Sequence, residues 1–147
     1  MQKSKEQYVN YLASHNLLSF ATADDKGNPF VRSVEYVNDG PTIYFVTDAK
    51  STKVKQLKKN SNVAFTVDED LEDWSKIQGI QMRGIASIVG DTEEKEKALD
   101  LLRLKFPQLA EMPLEGMEPC VIKIKPTTGS FIDNPAGVGV RHELRFD

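Results

Sequence analysis

The stretch from Asn28 to Asn60 constrains this chain more than any other, because it reads as two β-runs feeding directly into a short basic helix. Phe30 to Val37 and Thr42 to Thr47 are rich in β-branched and aromatic residues, and Asn38-Asp39-Gly40-Pro41 between them is a strong turn signal. The pattern predicts an antiparallel hairpin. Val31 and Val37 fall at one parity and Val34 and Tyr36 at the other, so both faces of the first run are expected to be covered. Arg32, in the middle of that run, is costly there unless an anion or several hydrogen bonds meet its guanidinium.

The helix that follows points to an anion a second time. Ser51 is its N-cap candidate, and Val54 and Leu57 give it an apolar side. Lys55, Lys58 and Lys59 lie toward the negative end of the helix dipole, which favours cations. Lys50 and Lys53 lie at the positive end, which does not. A lysine set against the dipole, beside free backbone N–H groups and the Ser51-Thr52 pair, is what a phosphate-binding helix start requires. The alternative is a surface helix whose lysines are simply solvated.

A chain of 147 residues is long enough for one domain, 1–147, with its own core. Its 22 acidic residues outnumber its 19 basic ones, which argues against nucleic acid as a general partner. One cysteine, Cys120, excludes an internal disulfide, and the polar N-terminus with no long apolar run predicts a cytoplasmic protein that does not cross a membrane. With two histidines and one cysteine no metal site is expected, and no glycine-rich dinucleotide fingerprint, Walker-type loop or nucleophile elbow is present.

In order, the pattern predicts a helix over 4–15 with Tyr8, Val9, Leu12 and Ala13 on one side, then a strand over Leu17–Ala23. Further strands are expected over Asn62–Val67 and 77–89, with Gly84 marking a bend or bulge, and Trp74 is expected in the core or, alternatively, covering a flat ligand. Asp91 and Glu94 have capping-box spacing for a helix bearing Ala98, Leu101, Leu102 and Phe106 and stopping before Pro107. A proline-rich loop over 107–119, a strand over 120–125, and a tail of irregular structure with one further strand complete the chain. The sum is a mainly β, α+β fold of five or six antiparallel strands in a small barrel with helical covers.

The order Val31-Arg32-Ser33-Val34, Phe45-Val46-Thr47, Ser51-Thr52-Lys53, Gln56-Leu57, then the strands through Gly84-Ile85-Ala86 and Ile124-Lys125-Pro126, resembles the FMN-binding split barrels related to pyridoxamine 5′-phosphate oxidase. The chain looks most like small members of that family with an Ile-x-Gly-x-Gln-x-x-Gly strand, here 77–84, and a Phe-x-Asp-Asn-x-x-Gly-x-Gly tail, here 131–139. The resemblance implies a six-stranded antiparallel split barrel that forms a homodimer with two FMN sites at its subunit interface, each built from both chains. It implies that Arg32 and Lys53 meet the FMN phosphate with Ser51 and Thr52 donating hydrogen bonds, and that Ser33, Val34, Val46 and Thr47 line the isoalloxazine.

The chain also departs from the oxidase. Thr52 replaces an arginine, Gly79 stands at the flavin-contacting glutamine so that Gln81 is its substitute, Val37 stands at the substrate lysine, and Arg141 and His142 are adjacent where the oxidase has Arg-x-His. The expectation is therefore an FMN-dependent oxidoreductase acting on another small molecule, with the chemistry carried by the flavin and no catalytic side chain named. Its rivals are a non-enzymatic flavin module, and a haem or deazaflavin protein in which His142 would be the first haem ligand.

Overall fold

The computed structural model describes residues 2–112 and 116–147. Helix α1 (Gln2–Ala13) leads into β1 (Leu17–Ala23), β2 (Pro29–Glu35), β3 (Val37–Asp39) and β4 (Thr42–Asp48). Helix α2 (Thr52–Lys59) is followed by β5 (Asn62–Val67) and β6 (Gln78–Ile88), and helix α3 (Thr92–Lys105) by β7 (Pro119–Asp133) and β8 (Arg141–Arg145). These strands form one antiparallel sheet in the order β2-β1-β5-β6-β7-β4-β3, with β8 added alongside β7. Three helices pack on it, and Phe20, Phe45, Phe65, Ile80 and Ile122 fill its concave side.

The expected hairpin is only partly formed. Asp39 pairs with Thr42 and Val37 with Tyr44, but the residues before Tyr36 leave that ladder and pair with β1, from Leu17 opposite Glu35 to Ala23 opposite Pro29. Tyr36 is the cause. It is wholly buried, its N–H donates to Asn16 O at 3.1 Å, and its hydroxyl donates to Leu12 O at 2.7 Å, so the chain bends there to bury the ring. Because β2 and β3 end the two sides of the sheet and only Tyr36 separates them, the sheet must curl until its ends meet. This makes the half-barrel.

Other expectations change with it. Among the described residues eight strands stand where six were expected, because the first run divides at Tyr36 and the tail is ordered. β7 continues through Pro126 and Gly129 instead of stopping near Lys125. Pro126 pairs with Gly84 beside the bulge between Met82 and Gly84, where a missing N–H is tolerated, and a Cβ on Gly129 would lie 2.1 Å from Gln81 O. β2 is not covered on both faces within one chain, since Val31 is 71% exposed. Trp74 is not core: it is 73% exposed on a 3-10 turn (Trp74–Lys76) capped by Asp73, with Asn134 Nδ2 donating to its carbonyl. On α1, Tyr8, Tyr11 and Leu12 are buried while Ala13 is exposed.

Asp91 caps α3 by accepting from Glu94 N–H at 3.0 Å, but the Glu94 carboxylate turns away to Tyr44 and Lys123. Pro107–Glu111 forms a 3-10 turn within the expected proline-rich loop, whose Pro113 lies outside the described residues. No helix among the described residues is long and apolar enough to cross a membrane.

Candidate functional site

The end of the sheet made by β2 and β4, with α2 and the C-terminal part of α3 beside it, encloses a cavity of about 540 Å³. Arg32, Ser33, Val34, Val46, Thr47 and Lys53 all line it, so the structure gathers six of the nine expected site residues in one place. Leu102, Phe106 and Leu109 complete an apolar wall that the sequence did not assign to the site. Ser51 and Thr52 immediately precede Lys53 but do not line the cavity.

Arg32 is held by neutral oxygens alone. Its Nη1 donates to Thr22 Oγ1 at 2.8 Å and Phe20 O at 3.3 Å, its Nη2 donates to Gln56 Oε1 at 3.4 Å, and the guanidinium lies over the Phe20 ring at 5.8 Å. The Thr22 hydroxyl in turn donates to Gln56 Oε1. Sequence reasoning passed over this buried Thr22–Gln56 pair; the signal was a glutamine between Val54 and Leu57, on the side of α2 that packs inward. Such a frame fixes the guanidinium without neutralising it.

Neither Arg32 nor Lys53 has a carboxylate within 4.0 Å among the described residues. Burial draws the Lys53 ammonium below its ordinary range, and the positive charge of Arg32 adds to the effect. Burial likewise draws Arg32 down. Two like charges partly removed from water without an ion pair are unfavourable unless an anion joins them, and the Asp48 charge offsets the effect on Lys53 only in part.

The Ser51 hydroxyl supplies a third, independent sign. Ser51 holds the N-cap position of α2 with extended backbone, yet its side chain makes no capping bond, and its buried Oγ is the one side-chain oxygen or nitrogen among the described buried ones without a partner. A buried hydroxyl without a partner is costly, and one that foregoes an available cap is positioned for something else. Two cations lining the cavity at the N-terminus of α2 suit a phosphate monoester, and the buried Ser51 hydroxyl sits at that same N-terminus.

Gln81 is not part of this cavity. It lines a separate groove on the outer face of β1, β5 and β6, where its Oε1 accepts from Arg141 Nη1 at 3.2 Å and exposed Val31 forms one wall. His142 lies next to Arg141 on β8 with its Nε2 3.2 Å from Asp133 Oδ2 and its ring stacked on Phe131.

The fold and site define a class: small antiparallel half-barrels with a partly apolar cavity whose one end is cationic. Residues 4–133 match the family described as pyridoxamine 5′-phosphate oxidase, and the chain belongs to that family. It is 30% identical over 96 residues to general stress protein 26 of Bacillus subtilis strain 168, covering 65% of this chain and 67% of that protein. The crystal structure of general stress protein 26 from Bacillus anthracis superposes with a TM-score of 0.71 at 23% identity over 97% of this chain and 98% of that one. HutZ, a haem storage protein from Vibrio cholerae, has the same fold, with a TM-score of 0.71 at 16% identity over 84% of this chain and 89% of that one.

Proposed function

We propose that this protein binds FMN and acts as a flavin-dependent oxidoreductase, as a homodimer in which a second chain covers exposed β2. The observation that carries the reading is the pair of cations, Arg32 and Lys53, at one end of a cavity of about 540 Å³, neither with a carboxylate within 4.0 Å among the described residues. Arg32 and Lys53 would bind the phosphate, with Ser51 and Thr52 donating from the start of α2. Thr22 and Gln56 would keep the guanidinium aimed. Ser33, Val34, Val46 and Thr47 would lie along the ring system, and Leu102 and Phe106 would exclude water from it. Bound flavin would supply reversible one- and two-electron transfer; the chain's own part is to hold, orient and desolvate it. The altered Val37, Gly79 and Arg141-His142 positions make pyridoxamine phosphate an improbable substrate.

The test is affinity and turnover together. Arg32→Ala and Lys53→Ala should each weaken FMN binding by about 1.5–3 kcal/mol, the worth of a hydrogen bond to a charged group. Oxidation of NADH or NADPH by the loaded protein separates an enzyme from a flavin-holding module. FMN affinity unchanged in both variants removes the phosphate site, and a Soret band with no retained flavin replaces FMN by haem. In that event His142, already engaged by Asp133, is the first residue to substitute.

A further inference from the structure

A second cavity, of about 500 Å³, lies between α3 and the β4–β7 pair and adjoins the proposed flavin cavity. Val46, Leu99, Leu109 and Val121 form its apolar interior. Met112 and Met117 stand at it 52% and 40% exposed. Unbranched, polarisable methionines left partly in water beside a cavity make an adaptable lining for an apolar guest. A closed core of this size would be filled by side chains, whereas small-molecule sites fall in the range of about 300–1,000 Å³.

Charge at the rim says what kind of guest fits. Lys95, Leu99 and Arg103 recur every four residues on α3 and all face the cavity, so an apolar centre lies between two cations. Lys95 has no carboxylate within 4.0 Å among the described residues. Arg103 meets Asp100 through Nη1 alone at 3.3 Å, which leaves most of its fork open. Glu96 also lines the rim and opposes them, so a guest with a single negative charge is better matched than a polyanion. The bland alternative is two long basic side chains lying their stems over apolar surface. That accounts for the stems and not for the cavity that the described residues leave between them.

We infer that this cavity binds an apolar monocarboxylate, its hydrocarbon among Leu99, Leu109 and Val121 and its carboxylate on Lys95 and Arg103. The cavity shares Val46, Thr47, Leu109 and Met112 with the flavin cavity. That its occupant is the flavin's reaction partner or effector rests on the reading above; the binding itself does not.

Decanoate and decanol, titrated calorimetrically into the full chain without FMN and again with it, test the inference. Decanoate should bind saturably, one per chain, and decanol about tenfold or more weaker, because only the acid meets the cations. Lys95→Gln with Arg103→Gln, both at the surface end of their side chains, should weaken decanoate about tenfold and leave decanol alone. Ala110→Trp, at an exposed cavity position outside the flavin cavity, should abolish both and leave FMN binding as it was. The inference is overturned if the protein does not bind decanoate, if decanol binds as tightly, if Ala110→Trp binds as before, or if decanoate competes with FMN for one place. Decanoate bound by a protein that refuses FMN would sink the flavin reading and leave this site standing.

Discussion

Ser51→Ala should move two quantities in opposite directions. Ordinarily an N-cap serine replaced by alanine lowers stability by about 0.5–2 kcal/mol. Here the hydroxyl makes no capping bond and is buried without a partner, so there is no cap to lose. A buried unsatisfied hydroxyl costs about 1–3 kcal/mol, and part of this is recovered when it is replaced by a methyl group. The FMN-free variant should therefore be more stable than the parent by about 1 kcal/mol. With FMN bound, the same substitution removes a donor to a charged phosphate and should weaken binding by about 1.5–3 kcal/mol, roughly ten- to a hundredfold. Urea denaturation of the FMN-free protein gives the first number from the shift in midpoint at constant slope. Quenching of flavin fluorescence on titration gives the second. A variant that is less stable by about 1 kcal/mol with unchanged FMN affinity would make Ser51 an ordinary cap and refute the reasoning.

Three further outcomes follow from the packing. Gly129→Ala should cost about 3 kcal/mol or more, because its Cβ would meet the backbone oxygen of Gln81 at 2.1 Å, and a melting curve near that of the parent would show the strands less close than described. Burial lowers the Lys105 amine from its ordinary 10.5 to about 8, with its Nζ over the Tyr36 ring at 4.3 Å. Between these values the unfolded chain binds more protons than the folded one, so stability should rise as pH goes from 8 to 10.5. Full burial would make that worth about 3 kcal/mol, but the side chain is only partly buried and about 1 is expected. Lys105→Met should remove that part of the rise in denaturation midpoints, and an equal slope in both proteins would contradict it. Trp74→Ala should change the stability of the single chain by less than about 0.5 kcal/mol, given its exposure; a larger loss would mean that a second chain packs on it.

What could be read in the sequence had a local cause. β1 and β5 fall where the short apolar runs over 17–23 and 62–67 place them, and each has one face on the core and the other away from it. Arg32 and Lys53 were legible as misplaced charges, and the structure gives the reason they stand out: their surroundings hold them without neutralising them. Tyr36 was not legible as a bend, since an aromatic between β-branched residues continues a strand as readily as it ends one, and only the carbonyls of Asn16 and Leu12 decide between these. Pro126 and Gly129 look like breakers until the close approach of β6 requires them. Trp74 shows a limit of composition: an aromatic residue carries the same apolar weight whether the chain buries it or a capped turn holds it out in water.

The central claim is that the Arg32–Lys53 end of the cavity recognises a phosphate on a flavin. Parallel titrations with FMN and riboflavin, which differ only by that phosphate, test it most directly. Binding of FMN at least about thirtyfold tighter than riboflavin, with the difference lost in Arg32→Ala combined with Lys53→Ala, is the result predicted for two charge-assisted contacts. Equal affinity for the two flavins, or a preference for FMN that survives the double substitution, would contradict it.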